Sequence, residues 1–559
     1  MNYIFSALII FIVIFLILNY YNKRRLLKLK NELKENWGTP KKSSEYFNFD
    51  LINKYFITRI KYGDDFHQII NDKTADDLDL NEVFKFMDRT SSKIGQQYLY
   101  FKIRTPTAKI DELKKFDSLV ELFEKDEALR TFCQLELLKI NSTNSYYIEE
   151  LLRKEQIQTP KWFKFVYLLS LAVIVCISLA YFYPVTLLIL IPLFITNTFI
   201  HYINKKYTNH YLVAISEFLR SITISKNILK NESVKSYFGD LSFLNSILKL
   251  RSKSRFISFE KQMEGDFSAL SWLFFELIKI MFNVEVLVFF RFIGSIEREQ
   301  KHIYQLFQYL GEIDSAISVA SVRQDEPVHC KPNFLGSKKI QIENCSHPLI
   351  SKCITNNLDM TSQSMLLTGS NMSGKTTFIR AIGINAILAQ TVYTCFAKTY
   401  NAPVFRIYTS IGISDSLLEG RSYYLQEVLS IKELIIESEK QGNCLFILDE
   451  IFKGTNTLER ISSGKAILEY LNKNTHFVFA ATHDIELTGL LSKYNYLLYH
   501  FSEHVENNEL KFDYKLKPGI LKTRNAIKIL ELYNYPAEII ENATNTLEAS
   551  KAIEFRSEN

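Results

Sequence analysis

Cysteine is scarce and unpatterned: seven in 559 residues, with no paired or metal-like spacing. That excludes a disulfide framework and leaves scattered buried thiols in a reducing compartment. Glycine is thin at the front, with six of 18 in the first 310 residues and twelve after them. The front therefore reads as long helices and the back as turn-rich α/β structure. Charge of one sign is also missing. The net charge of +6 is too mild to predict a nucleic-acid partner by itself. No internal repeat or low-complexity stretch is present. Most telling, charge is absent altogether from Tyr3 to Tyr20 and again from Phe165 to Ile203.

Those two silent stretches predict membrane spans. Tyr3–Tyr20 is long enough to cross a bilayer, and Lys23, Arg24, Arg25, Lys28 and Lys30 follow at once. A cleaved leader would carry its charges before the apolar run, so the expectation is a signal anchor over 1–22 with residue 23 onward inside. The block from Phe165 to Ile203 is about twice a span in length, and Tyr183-Pro184 near its middle predicts two helices and a tight turn. Lys161 and Lys164 before it, and Lys205 and Lys206 after it, place both flanks on the same inner side. Leu270–Gly294 is apolar but interrupted by Glu276, Lys279, Glu285 and Arg291, so it reads as a core helix lying against the membrane.

What is there lies mainly in the back half. Gly369-Ser370-Asn371-Met372-Ser373-Gly374-Lys375-Thr376-Thr377 is a full G-x-x-x-x-G-K-[ST] loop, preceded by the apolar run Met365–Thr368 and followed by a helical stretch. Strand, glycine turn and helix make a phosphate cradle: backbone N–H groups converge, the helix N-terminus adds positive potential, and Lys375 adds a point charge. The Thr376 hydroxyl is suited to Mg²⁺. Downstream, Cys444–Leu448 reads as a buried parallel strand ending in Asp449-Glu450. Asp449 predicts a second Mg²⁺ ligand, and Glu450 a general base that orients water for in-line attack. A further apolar run, Phe477–Ala481, ends in Thr482-His483-Asp484, which sets His483 at the same end of the sheet. The chemistry expected is ATP hydrolysis.

Four segments in fixed order carry a resemblance. Asn371-Met372 with Gly374–Thr377, Gly420-Arg421-Ser422 with Glu427, Asp449-Glu450 with Gly454-Thr455, and Ala481-Thr482-His483 with Glu486-Leu487 are together similar to the MutS family of DNA mismatch-repair ATPases. Cys345–Leu349, the runs 496–501 and 509–516, and Met87–Thr90 resemble further family segments, so the likeness extends from about residue 75 to the end. The departures are Ser370 and Ser373 for the usual Pro and Gly, Phe452-Lys453 for Gly-Arg, and Cys353 for an aromatic that commonly stacks on adenine. Ile354 and Asn356 still match that adenine segment.

The resemblance implies an α-helical core followed by an α/β P-loop ATPase domain of the ABC type, here with three transmembrane helices. The expected divisions are an anchor (1–22), a cytoplasmic linker (23–73), a helical core (74–330) with the apolar hairpin at about 165–203, and the ATPase domain (331–559). It implies ATP and Mg²⁺, a homodimer in which Ser422 of one copy reaches the γ-phosphate held by the other, and DNA as partner. Membrane lipid is the further expected partner, with the ATPase domain on the cytoplasmic side of a bacterial inner membrane. The family's mismatch-reading domain has no counterpart in the fifty or so residues between the anchor and the helical core. Its Phe-x-Glu motif recurs only in Phe274–Glu276 and Phe501–Glu503, which read as chance matches. A membrane role without DNA is therefore the alternative.

Overall fold

The computed structural model describes residues 2–41, 47–62, 66–153, 163–253, 276–326, 328–370, 372–412, 423–452, 455–473, 475–506, 509–521 and 526–546. Contacts divide the chain into two units, and the division is not linear. One consists of Met1–Asp65, Met87–Lys102 and Lys115–Asp325 and is helical. The other gathers Phe66–Phe86, Ile103–Lys114 and Glu326–Asn559 and is α/β with mixed sheets. The expected helical front and α/β back are both found.

In the helical unit, the helix Gln300–Asp325 is the central post, buried almost continuously from Leu306 to Arg323. Its one buried carboxylate, Asp314, is satisfied by the Ser91 and Ser92 N–H groups, each at 2.8 Å, and by the Ser92 hydroxyl at 2.5 Å. Arg323 near its end pairs with Asp117 at 2.8 Å. Burial without such partners would cost several kcal/mol, on the order of 3–5 for a broken buried pair.

The apolar block forms the expected hairpin. One arm is Phe163–Leu179, the chain turns through Tyr183-Pro184, and the return arm opens the 42-residue helix Leu187–Ile228. The expectation of three transmembrane helices is corrected: among the described residues, one helix, Pro184–Asn204, is long and apolar enough to cross a membrane. The other arm has 17 residues and falls short of the usual span. At the N-terminus the helix Asn2–Glu35 runs unbroken from the apolar stretch through the basic one, but the side chains of 2–12 lie outside what is described. The segment read as one core helix is also different. Residues 270–275 lie outside the described residues, and the helix after them breaks at Phe282-Asn283 before resuming as Val284–Arg298.

Among the described residues the α/β unit holds three sheets, whose strands in chain order are β1 (Asn333–Phe334), β2 (Lys339–Cys345), β3 (Asn356–Thr361), β4 (Ser364–Thr368), β5 (Thr399–Ala402), β6 (Arg406–Ser410), β7 (Cys444–Asp449), β8 (Phe477–Thr482), β9 (Tyr496–His500), β10 (Glu503–Glu506), β11 (Glu509–Phe512) and β12 (Lys517–Pro518). The main sheet has the order β12-β9-β4-β8-β7-β6, parallel except for β12 at its edge. β4, β7 and β8 are buried nearly throughout, which is why they read in sequence as continuous apolar runs and not as alternating ones. A four-stranded sheet, β1-β5-β2-β3, and the hairpin β10-β11 complete the unit.

Candidate nucleotide site

Register decides what meets at the sheet's carboxyl end. Thr368 of β4 lies beside Thr482 of β8, and Ala481 of β8 beside Asp449 of β7. Three neighbouring strands therefore deliver the glycine loop, Thr482-His483-Asp484 and Asp449-Glu450 to one place, as in other open parallel sheets that bind at strand carboxyl ends.

The loop is shaped by its glycines. Gly369 has φ 150°, and a Cβ there would meet the Phe501 carbonyl oxygen at 2.9 Å. Gly374 has φ 106° and stands as N-cap of the helix Lys375–Ala389. Lys375 is buried, with its ammonium donating to the Gly369 and Ser370 carbonyls at 2.6 and 2.8 Å. Ser373 closes the turn by donating to the Ser370 carbonyl at 2.8 Å. The Ser370 hydroxyl donates to Glu503, so this departure from the family loop gains a carboxylate partner. Met372 has φ 72° and a largely exposed side chain, and Thr377 faces a cavity beside the loop. Asn371 lies outside the described residues.

Thr376 donates its hydroxyl to Asp449 Oδ2 at 2.5 Å. A hydroxyl and a carboxylate so placed are hard oxygen donors, the set Mg²⁺ prefers, and the residues fit that ion. Glu450 follows with φ 53°, a left-handed backbone held by its N–H donating to the Ala481 carbonyl at 2.8 Å. His483 Nδ1 lies 3.4 Å from Glu450 Oε1, and the hydrogen bond to that carboxylate raises the imidazole's pKa above its ordinary value. On its other side Asp484 Oδ1 lies 3.8 Å from Nε2 and is gripped by Arg460 through two hydrogen bonds of 2.6 and 2.9 Å. Glu450, His483, Asp484 and Arg460 thus form one chain. Sequence reasoning found the first two; Asp484 shows its role only when Arg460, on the helix Thr457–Leu471, is brought to it. Glu427 is buried near Asp449 and Glu450, lining the same small recess. Ser422 lies outside the described residues, as do 413–421 before it.

Next to the loop opens a cavity of about 410 Å³, lined by His347, Cys353, Ile354, Asn356, Phe501 and Tyr514 among others. Ile354 presents an exposed side chain there. Asn356 is committed to the backbone between β11 and β12: its amide donates to the Tyr514 carbonyl at 3.1 Å and accepts from the Leu516 N–H at 2.8 Å. It therefore positions Tyr514, whose ring lies 3.2 Å from where a Cβ on Gly374 would stand. An aromatic face returns to the cavity from far along the chain, where the sequence reading saw only Cys353. The Phe501–Glu503 match, read as chance, contributes Phe501 to the cavity and Glu503 to Ser370. Burial, with help from the nearby Arg380 cation, pushes His347 down to about 4, so its imidazole is neutral at this wall.

One buried carboxylate ties the site's far edge to an early segment. Asp77 accepts from the Thr409 hydroxyl at 2.7 Å and from the Ile411 and Gly412 N–H groups at 3.1 and 2.9 Å. It pins the chain leaving β6, immediately before residues 413–422. Two residues on, Asp79 pairs with Arg380 of the glycine-loop helix at 2.6 Å.

Residues 365–551 match the family model of MutS domain V. The chain is 30% identical over 280 residues to the DNA mismatch repair protein MutS of Pseudothermotoga lettingae, covering 45% of this chain and 34% of that protein. It is 32% identical over 264 residues to that of Listeria monocytogenes serotype 4a, covering 45% and 30%. With the Staphylococcus haemolyticus protein the figures are 29% over 288 residues, 50% and 32%. The chain spans about a third of the length of the curated relatives it matches. Over residues 365–551, which bring the strand-end residues together, the chain is similar to MutS domain V.

Proposed function

We propose that this chain binds and hydrolyses ATP with Mg²⁺, that two copies complete each other's sites, and that the closed pair engages DNA. The observation that carries the reading is the convergence of Lys375, the Thr376–Asp449 pair and the Glu450–His483–Asp484–Arg460 chain at three adjacent strand ends. Mg²⁺, held by Thr376 and Asp449, would neutralise phosphate charge and align the β- and γ-phosphoryl groups. Lys375 and the loop's N–H groups bind the phosphates, and the helix N-terminus lowers the cost of their charge. Glu450 orients water and accepts its proton. His483 holds Glu450 in place and shares the charge that develops, while Asp484 and Arg460 keep the imidazole from turning. The cavity beside the loop takes the base against Tyr514, with Ile354 as a second contact and Asn356 as support. By family resemblance Ser422 reaches the γ-phosphate on a partner copy.

DNA enters through the relatives, whose names state mismatch repair. A second reading has its own observation. The arm Pro184–Asn204 is only 11% buried and presents an apolar surface, which supports insertion into lipid, with Lys205 and Lys206 at its end setting the chain after it on the cytoplasmic side of a bacterial inner membrane. On that reading nucleotide-driven pairing acts on the membrane and DNA is not bound.

The deciding experiment uses the full chain in detergent. Wild type should bind ATP, hydrolyse it at a rate per copy that rises with protein concentration, and shift duplex DNA in a salt-dependent way. Lys375→Ala should lose ATP binding. Retained binding in that variant, or a concentration-independent rate, defeats the composite-site reading. Intact hydrolysis without DNA binding at low salt selects the membrane reading.

A further inference from the structure

Cysteine shows no pattern along the chain, yet the fold sets two of the seven face to face. Cys330 lies where the chain enters the α/β unit, and Cys395 lies just beyond the glycine-loop helix. They stand opposite one another in an antiparallel bridge and exchange both backbone hydrogen bonds. The Cys330 N–H donates to the Cys395 carbonyl at 2.8 Å, and the Cys395 N–H donates to the Cys330 carbonyl at 2.9 Å. Residues paired in this way carry their side chains on one face, with α-carbons about 5.5 Å apart. A disulfide spans α-carbons about 4.4–6.8 Å apart, so this backbone can carry one.

The two thiols differ in what they are fitted to do. Cys330 is half-buried and Cys395 is fully buried. The Cys395 thiol donates a hydrogen bond to the Cys330 sulfur, which holds the Cys330 thiol below its ordinary pKa against the opposing effect of burial. Reactive cysteines combine thiolate character with access, and sensing ones stand beside a second thiol that resolves them. Burial does the reverse elsewhere, pushing Cys133 and Cys345 up to about 12 and Cys444 up to about 11. Cys353 accepts from the His347 N–H at 3.4 Å and donates to the Ile354 carbonyl at 3.7 Å. Asn385 keeps the second thiol of the pair in place. Its side-chain oxygen accepts from the neighbouring Phe396 N–H at 2.6 Å, and its carbonyl lies 3.8 Å from Cys395 Sγ.

We propose that Cys330 and Cys395 form a peroxide-oxidisable pair, in which Cys330 reacts first and Cys395 resolves it to a disulfide. The Cys330 thiolate attacks one oxygen of hydrogen peroxide and the O–O bond breaks. The departing hydroxide takes up the proton the thiol had released and leaves as water, with Cys330 now a sulfenic acid. The Cys395 sulfur then attacks the Cys330 sulfur, the S–O bond breaks, and hydroxide leaves with the Cys395 proton as a second water. Two thiols give up two electrons in all, and the peroxide takes them. The register also makes the bond reversible. Opposite β-carbons in a bridge stand about 4.5–5.5 Å apart, whereas a relaxed disulfide has them about 3.8 Å apart. Closing that gap strains the bond, and strained disulfides are the readily reduced ones. Transient bridges of this kind suit a reducing compartment. The pair is oxidised or not whether or not nucleotide binds, so this inference survives failure of the nucleotide reading.

The test uses the full chain in detergent, first reduced, then cleared of reductant and treated with hydrogen peroxide. Remaining thiols are capped with N-ethylmaleimide, and the digest is mapped by mass spectrometry. The wild type should yield one peptide pair joined through Cys330 and Cys395, lighter by two hydrogens than the two thiol peptides together. The other five cysteines should stay capped, and dithiothreitol should restore both thiols. Cys330 should be consumed faster than Cys444 by about tenfold or more, the lower nucleophilicity of a lower-pKa thiolate allowed for. In Cys395→Ser the Cys330 sulfenic acid loses its resolving partner and should be captured by dimedone; in Cys330→Ser, Cys395 should remain available for capping after denaturation. Oxidation of other wild-type thiols with no Cys330–Cys395 peptide overturns the proposal, and that result needs no variant to fold. A bridge from Cys330 to Cys345 or Cys353 overturns it as well, as does a Cys330 consumed no faster than Cys444.

Discussion

Replacing Glu450 by Gln is the sharpest probe of the nucleotide site, because it removes one negative charge and little else. Gln fills nearly the same volume, and the left-handed backbone at this position, held by the N–H of residue 450 on the Ala481 carbonyl, imposes a similar strain on either residue. Folding should therefore survive. Two effects are expected. A positioned general base contributes about 10²–10⁴ in rate, or about 3–5 kcal/mol of barrier, so single-turnover hydrolysis should slow by that factor while ATP affinity, which rests on Lys375 and the loop, changes little. The second effect is read on a different atom. The hydrogen bond from His483 to Glu450 is the largest cause of the raised imidazole pKa, ahead of the opposing effect of burial. Without it the His483 titration, followed by NMR, should move downward. The sign for stability follows: a raised folded pKa gives stabilisation that is complete below the unfolded histidine value near 6.5 and lost as pH rises through the folded one. That pH-dependent part should shrink in Glu450→Gln. Wild-type turnover in the variant would refute the role of Glu450 as base. An unmoved His483 titration would refute the geometry that links them.

Two further outcomes follow from the structure. Tyr514→Ala should weaken ATP binding by about 1–3 kcal/mol, the range for an aromatic platform under a base, with turnover at saturating ATP preserved; equal loss of kcat would place Tyr514 elsewhere in the reaction. Asp77→Ala leaves the Thr409 hydroxyl and the Ile411 and Gly412 N–H groups without their acceptor, and should cost about 1–3 kcal/mol in denaturant unfolding for the unmet donors. It should also slow hydrolysis more than it weakens ATP binding, since the chain it pins runs straight into residues 413–422.

Much of the site was legible in sequence because its parts are local. A glycine loop between strand and helix, and carboxylates at the ends of apolar runs, announce their chemistry through spacing alone, since strand, turn and helix geometry is set within a few residues. What needed the structure was whatever depended on partners distant in the chain. Asn356 matched an adenine segment, yet its amide is used up by residues 514 and 516, and the aromatic ring comes from Tyr514. Phe501 and Glu503, a chance match to the mismatch-reading motif, are neighbours of the loop for a separate reason: the strand β9 ends beside it. The membrane count was too high: among the described residues Pro184–Asn204 alone is both long and apolar enough to cross, and the other hairpin arm, Phe163–Leu179, stops at 17 residues.

The sequence by itself therefore determined the chemical endowment: a phosphate loop, an Asp-Glu strand end, a histidine one strand away, and an uncharged hairpin. The tertiary structure alone decided their company. Parallel register set β4, β8 and β7 side by side, and helix packing brought Arg460 to Asp484, Asp77 to the chain leaving β6, and His201 between Glu276 and Glu285. Local backbone preferences act over a few residues, while charge pairing acts between whatever surfaces packing has brought within a few ångströms.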